Sequence, residues 1–278
     1  MISFPKLCQK YAELELQLPG YVNRVFRSPH SLGDRRAVME WAEDVLHNAA
    51  ELQKKMDQLK NVGEEIHNTC NPQNIMDLLL SPDLGKLDDL FVDEILGIEA
   101  VYQENNPEEL QDRTIFYQGT NYRDLVQMTR SVPFTESDVV YDIGCGYGRV
   151  LAVLALLTPV KQVVGIEIMP HRAAAAEQSM ADLGLTNVKV INKDVEEVDF
   201  CDGNYFYFFC PLPTRICQAT IDRIAKIPQA TLIVSHGVYA ELKTAWEGEP
   251  IEGSMRGLDL YHIKNDLRQR RTFASHTA

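Results

Sequence analysis

The segment VVYDIGCGYGR, Val139 to Arg149, sets an apolar run directly against three glycines in five residues. Such a run reads as a strand buried on both faces, and residues without a Cβ just after it let the backbone take positive φ and present its amides closely. A strand that ends in this way and passes into a helix is the unit of a doubly wound α/β sheet. There, ligands lie outside the carboxyl ends of the strands, near the point where strand order reverses. Gly144, Gly146 and Gly148 are therefore candidate ligand contacts, with the start of a helix behind them. A tight turn with close helix packing would account for one or two of these glycines; three at this spacing point to a ligand.

The remainder of the second half repeats the pattern. VVGIE (163–167), VKVIN (188–192), YFYFF (205–209) and TLIVS (231–235) are short apolar runs, and segments of helical composition such as RVLAVLALL and HRAAAAEQSMADLGL separate them. Alternating strands and helices, with runs apolar on both faces, predict a parallel sheet covered by helices on both sides.

Residues 1–115 differ, being rich in helix formers and nearly free of β-branched alternation. Val38, Ala42, Val45, Ala49, Leu52, Met56 and Leu59 follow one another at gaps of 4 and 3, which draws one apolar helical face. An internal antiparallel bundle is the favoured use of that face; a homodimer seam through the N-terminal helices is the alternative. Further helices are expected over IMDLLL from Ile75 and over LDDLFVDEILGIEAVYQ, Leu87 to Gln103, with SPDLG as the turn between them. Another begins at Thr120 or Asn121, either of which can cap it. The expected organisation is a helical N-terminal domain over 1–115 and an α/β domain over 116–278.

With 278 residues, 45% of them hydrophobic, the chain can bury a core. A formal net charge of −13 argues against nucleic acid as a partner, because nucleic-acid binders gather Lys and Arg, and it suits a basic protein partner instead. Six cysteines without a CxxC pair and seven histidines without HExxH spacing leave no metal site expected. The start lacks a secretory signal pattern and no stretch approaches the ~20 apolar residues of a membrane span, so a cytoplasmic chain without membrane contact and with reduced thiols is expected.

A Walker loop would need GxxxxGK followed by Ser or Thr, which the chain does not supply, and a dinucleotide fingerprint would place its third glycine where Arg149 stands. An acid followed by GxGxG, Asp142 to Gly148, resembles the first motif of the class I S-adenosylmethionine-dependent methyltransferases, over about residues 117–264. The resemblance implies a Rossmann-like doubly wound sheet, mostly parallel with an antiparallel edge strand, for which LDLYHI from Leu258 is the candidate. It implies S-adenosyl-L-methionine as cofactor. Asp142 and the main chain of Gly144, Cys145, Gly146 and Gly148 would run along its methionine end. Glu167, 21 positions after Gly146, would hold both ribose hydroxyls, with Ile168 beside it. Asp194 and Val195 would stand at the adenine, Asp194 also reading as a helix N-cap. Tyr117 and Thr120 fall where the family closes a segment over the methionine part, or else only cap the next helix.

The family builds its acceptor wall after the fourth strand, which makes Phe209, Cys210 and Pro211 the candidate catalytic residues; Tyr205 to Phe208 read as core. Cys210 stands where enzymes acting on planar amines carry an amide-bearing residue or an acid, a departure from that branch. The narrower likeness is to small lysine methyltransferases, with His236 and Tyr261 as assisting groups. The implied function is methyl transfer to a protein side chain, lysine included, or to a small molecule. The alternative is a catalytically silent, cofactor-binding scaffold whose helical domain mediates interactions. A nicotinamide oxidoreductase, the third reading, is opposed by Arg149.

Overall fold

The computed structural model describes residues 2–26, 35–98, 117, 119–209, 214–235, 246–250 and 258–263. The chain divides into two compact units, Met1–Ile95 and Leu96–Ala278.

In the first unit, helix α1 (Phe4–Phe26) packs against α2 (Arg35–Thr69) and α3 (Pro72–Leu79). Phe4, Leu7, Cys8, Tyr11 and Leu14 share one face of α1 because they recur at helical spacing. They pack with Val62 and Ile66 of α2, Leu78 of α3 and Phe91 of α4 (Asp89–Ile95). The Tyr11 ring stacks on Phe91 at 5.1 Å between centroids. Gly63 permits the close approach, since a Cβ there would stand 3.2 Å from the Tyr11 ring. The apolar face predicted for α2 is thus used within the chain at Leu59 and beyond it at Val62 and Ile66, whereas Met56 is 50% exposed. The side chains of Val38, Ala42 and Val45 lie outside the described residues. Asn71 caps α3 by accepting the Asn74 N–H at 3.0 Å, and Pro72 occupies the first turn, where a missing N–H costs nothing. Of the helix expected from Leu87 to Gln103, residues 99–103 lie outside the described residues; before them α4 stops at Ile95, and Gly97, at φ +65°, turns the chain as a glycine after a helix commonly does.

The second unit is built on a seven-stranded sheet of order β3-β2-β1-β4-β5-β7-β6. Its strands are β1 (Val139–Ile143), β2 (Gln162–Glu167), β3 (Val188–Asn192), β4 (Tyr205–Phe209), β5 (Thr231–Ser235), β6 (Trp246–Pro250) and β7 (Leu258–Ile263). The first five are parallel; β7 runs antiparallel to both β5 and β6. The antiparallel strand expected from the sequence is present as β7, followed by one further strand, β6, that pairs with it. LDLYHI lies inside the sheet, and the edge is WEGEP, whose glycine, proline and glutamates hide it from a search for apolar runs.

Helices α5 (Tyr122–Ser131), α6 (Arg149–Leu157), α7 (Pro170–Asp182) and α8 (Thr214–Ile224) complete the unit, and Asn121, not Thr120, caps α5 through its side-chain oxygen and the Asp124 N–H at 2.8 Å. Every residue of β1 and β5 is buried. From β1 the chain steps outward through β2 to β3, then returns to β4 on the other flank of β1. Strand order therefore reverses beside β1, and the carboxyl ends of β1 and β4 flank the crevice where such sheets bind ligands. Among the described residues no helix is long and apolar enough to cross a membrane.

Gly165, in the middle of β2 and paired with Asp142, sets how closely the first turn and α6 settle on the sheet. A Cβ there would fall 2.7 Å from both Cys145 Sγ and Leu151 Cδ1. Replacement Gly165→Val should destabilise the second unit by about 1–3 kcal/mol through overpacking. Chemical denaturation followed by near-ultraviolet circular dichroism checks this, and an unchanged midpoint would contradict it.

Candidate functional site

The first strand-to-helix turn is clasped by an acid from the neighbouring strand. Gly144, Gly146 and Gly148 have φ of +81°, +54° and +90°, a region that glycine enters without steric penalty. Gly144 and Cys145 both donate their N–H to Ile166 O at 2.9 Å. Gly146 N–H donates to Glu167 Oε2 at 2.8 Å, and Met169 N–H to Oε1 at 2.9 Å. One carboxylate thus joins the turn after β1 to the exit of β2. Beyond these bonds the carboxylate retains acceptor capacity. Burial raises the Glu167 carboxyl above its ordinary range, against the lowering effect of the backbone donors. Asn192, at the end of β3, steadies the same exit by donating to Glu167 O at 2.8 Å and Ile168 O at 3.1 Å. Ile168 itself is 40% exposed.

The three glycines serve different ends. A Cβ on Gly148 would lie 3.2 Å from Ala176 Cβ, so that glycine lets α7 pack against the turn. A Cβ on Gly146 would collide at 2.6 Å with the Tyr117 ring, which lies over the turn and meets Tyr147 edge-on at 4.9 Å. Cys145 points its thiol at Gly165 in the sheet, so what it can offer a ligand is main chain.

Under the turn lies a polar cluster. Asp142 is buried on β1, in register with Tyr207 of β4. Its Oδ2 meets no hydrogen-bond donor among the described residues. Burial, and then the charge of Glu167, push its carboxyl up to about 8. The Tyr207 hydroxyl shares a short hydrogen bond with Thr120 Oγ1, and burial drives the phenol upward. Tyr207 is read from the sequence as one core aromatic among five; its hydroxyl belongs to the site. The alternation of the strand could have marked position 207 as facing the same side as Asp142, but not its bond to Thr120.

Beyond β3, Asp194 caps the short 3₁₀ turn Val195–Glu197, its Oδ1 accepting from Glu196 N–H at 3.0 Å, and Val195 is buried. This turn is fastened from α8 by Arg223, which donates to the carbonyls of Val195 at 2.9 Å and Glu196 at 3.2 Å and also reaches Val198 O. Its guanidinium lies over the Phe200 ring. Nothing in the sequence singles out Arg223. Phe209 ends β4 half-buried, while Cys210, Pro211 and His236 lie outside the described residues; Tyr261 is buried in β7 against the sheet core.

Glycine amides, a buried acid with an oxygen that meets no donor among the described residues, and a second acid at the exit of the next strand suit S-adenosylmethionine. Its ammonium and sulfonium are cationic, and its ribose carries adjacent hydroxyls. The residues present fit that group.

The family described as "Putative methyltransferase" matches residues 136–202. A protein-lysine N-methyltransferase of Saccharolobus islandicus is 29% identical over 112 residues, covering 40% of this chain and 68% of that one. A tRNA (guanine-N(7)-)-methyltransferase of Shewanella halifaxensis is 32% identical over 121 residues, covering 40% of this chain and 51%, about half, of that relative. One of the same description from Mycoplasmopsis pulmonis is 30% identical over 155 residues, covering 50% of this chain and 74% of the relative. Relatives named for tRNA overturn the expectation, drawn from net charge, that argues against nucleic acid as a partner. Net charge sums over the whole chain, whereas binding depends on the local field of one face. With the glycine turn, its acid clasp and this likeness together, the chain belongs to the class I S-adenosylmethionine-dependent methyltransferases.

Proposed function

We propose that the chain transfers a methyl group from S-adenosylmethionine to a nitrogen of a macromolecular acceptor, on RNA or on a lysine side chain. The observation that carries the cofactor half is the Glu167 clasp on Gly146 N–H together with a buried Asp142 oxygen that meets no donor among the described residues. The acceptor half is supported by the relatives, named for lysine N-methylation and for guanine-N(7) methylation. Cys210, in place of the amide-bearing residue, agrees with an acceptor other than a planar amine.

When bound, the cofactor supplies an electrophilic methyl on a sulfonium. The work of the chain is then alignment and exclusion of water. Glu167 would accept from both ribose hydroxyls with its remaining lone pairs. Asp142, with the Thr120–Tyr207 pair beside it, would take the ammonium end. Tyr117 would cover the turn against water, Ile168, Asp194 and Val195 would flank the base, and Phe209, Cys210 and Pro211 would face the acceptor. The described cysteines are all free thiols, which fits a reducing, cytoplasmic setting.

Incubation with donor labelled in its methyl group, in separate RNA and protein fractions of a lysate, tests the reading. Label released by ribonuclease assigns RNA and label released by protease assigns a side chain; label in neither overturns the acceptor class. Glu167→Ala should weaken S-adenosylhomocysteine binding in calorimetry by about 1–3 kcal/mol through lost charged hydrogen bonds. An unchanged affinity in a folded variant would remove Glu167 from the site.

Asp142 gives a pH signature. A carboxyl whose folded pKa lies above its unfolded value contributes stability at low pH and loses it as pH rises through the folded value. The ligand-free protein should therefore lose stability from pH 3.8 to about 8, and Asp142→Asn should flatten that slope. A ligand ammonium favours the ionised carboxyl, so affinity for S-adenosylhomocysteine should rise toward about pH 8 in the parent and not in Asp142→Asn. Thermal melts and calorimetry across this range read both effects.

A further inference from the structure

Arg149 opens α6 directly after the glycine turn, yet its side chain leaves the helix and serves a different segment. The residue is buried, at 5% exposure. Its Nη1 donates to Thr120 O at 2.8 Å, and its guanidinium carbon lies 4.8 Å from the centroid of the Tyr122 ring. A buried guanidinium needs partners for its edge and its faces, and a carbonyl with an aromatic face supplies both. Gly119 is shaped to the same group: a Cβ there would fall 2.6 Å from Nη1, 2.7 Å from Cζ and 3.0 Å from the Tyr117 hydroxyl. Three points of one segment, at Gly119, Thr120 and Tyr122, thus close around a single side chain.

That segment carries two groups of the site. Tyr117 presses its ring on Gly146, and Thr120 bonds Tyr207 beside Asp142. We infer that Arg149 is a positioning residue that pins Tyr117 and residues 119–122 beside the glycine turn and so fixes the pocket for the amino-acid tail of the cofactor. Gly119 is the complementary position that leaves room for the guanidinium. This rests on the methyltransferase reading above. In this role Arg149 acts through Tyr117 and Thr120 rather than on the ligand or the reacting atoms.

The ligand-selective prediction separates positioning from general support. S-adenosylhomocysteine carries the amino-acid tail, and 5′-methylthioadenosine lacks it while keeping the ribose and base. Arg149→Met should weaken S-adenosylhomocysteine by about tenfold or more, the scale of a lost charged hydrogen bond, and leave 5′-methylthioadenosine unchanged. Arg149→Lys should not restore binding, since an ammonium cannot both lie flat on Tyr122 and reach Thr120 O. Gly119→Ala, a change of one methyl group, should reproduce the selective loss by displacing the guanidinium. In the ligand-free protein, amide hydrogen exchange at 119–122 should quicken in all three variants. Equal weakening of both nucleosides, an unaffected S-adenosylhomocysteine affinity, or rescue by Arg149→Lys would overturn the inference alone. Binding of neither nucleoside by the unaltered protein would overturn the methyltransferase reading, and the inference with it.

Discussion

The site depends on one carboxylate held between two backbone amides. Glu167 accepts from Gly146 N–H on the turn after β1 and from Met169 N–H past the end of β2, so a single side chain ties together two adjacent strand exits. Left unpaired, the Gly146 amide would be a buried donor without a partner, and such donors are costly. The turn therefore keeps its alternating positive-φ geometry because Glu167 is present. Glu167 in turn stays ordered in a buried place because the amides receive it. The closeness of β1 and β2, set by Gly165, lets the two meet.

Much of this half was legible from residues alone, for physical reasons. VVYDI and TLIVS are buried at every position, so most of their residues are apolar and the runs announce themselves. Alternating GxGxG spacing maps onto alternating positive φ, because only glycine meets that demand cheaply. WEGEP stayed hidden since an edge strand needs no apolar run, and its proline is tolerated where one flank pairs with nothing. In the first unit the period-3.6 face of α2 was readable, but its extent was not: burial deepens at Val62 and Ile66, where α1 covers the helix, and fades at Met56. The end of α4 at Ile95 turned on Gly97, a single residue inside an otherwise helical composition.

What sequence reading could not reach was the long-range hydrogen bonding of polar tips on apolar bodies. Tyr207 sits among four other aromatics, and only the fold brings its hydroxyl to Thr120, 87 positions away. Arg149 entered the sequence argument as the residue that breaks a dinucleotide fingerprint, and its contact with Thr120 O spans 29 positions. Arg223 reaches back to the turn after β3 across 28 positions. In each case the side chain satisfies a main-chain or hydroxyl oxygen on a distant segment, an arrangement that leaves no local pattern. Charge gave the opposite lesson: a whole-chain sum was legible but does not exclude a nucleic-acid partner, because a partner meets the local field of one face.

Cys145 illustrates how burial edits chemistry. It lies within the turn proposed to bind the cofactor, where a thiol would ordinarily invite alkylation or oxidation. Its sulfur instead faces Gly165, and burial, aided by the charges of Asp142 and Glu167, raises the thiol well above its ordinary range. The thiolate, the nucleophilic form, is thereby withheld. Electrophilic inhibitors seeking a covalent anchor in this cleft would find Cys145 inert, so durable occupancy must come from shape and charge rather than from bond formation to this sulfur.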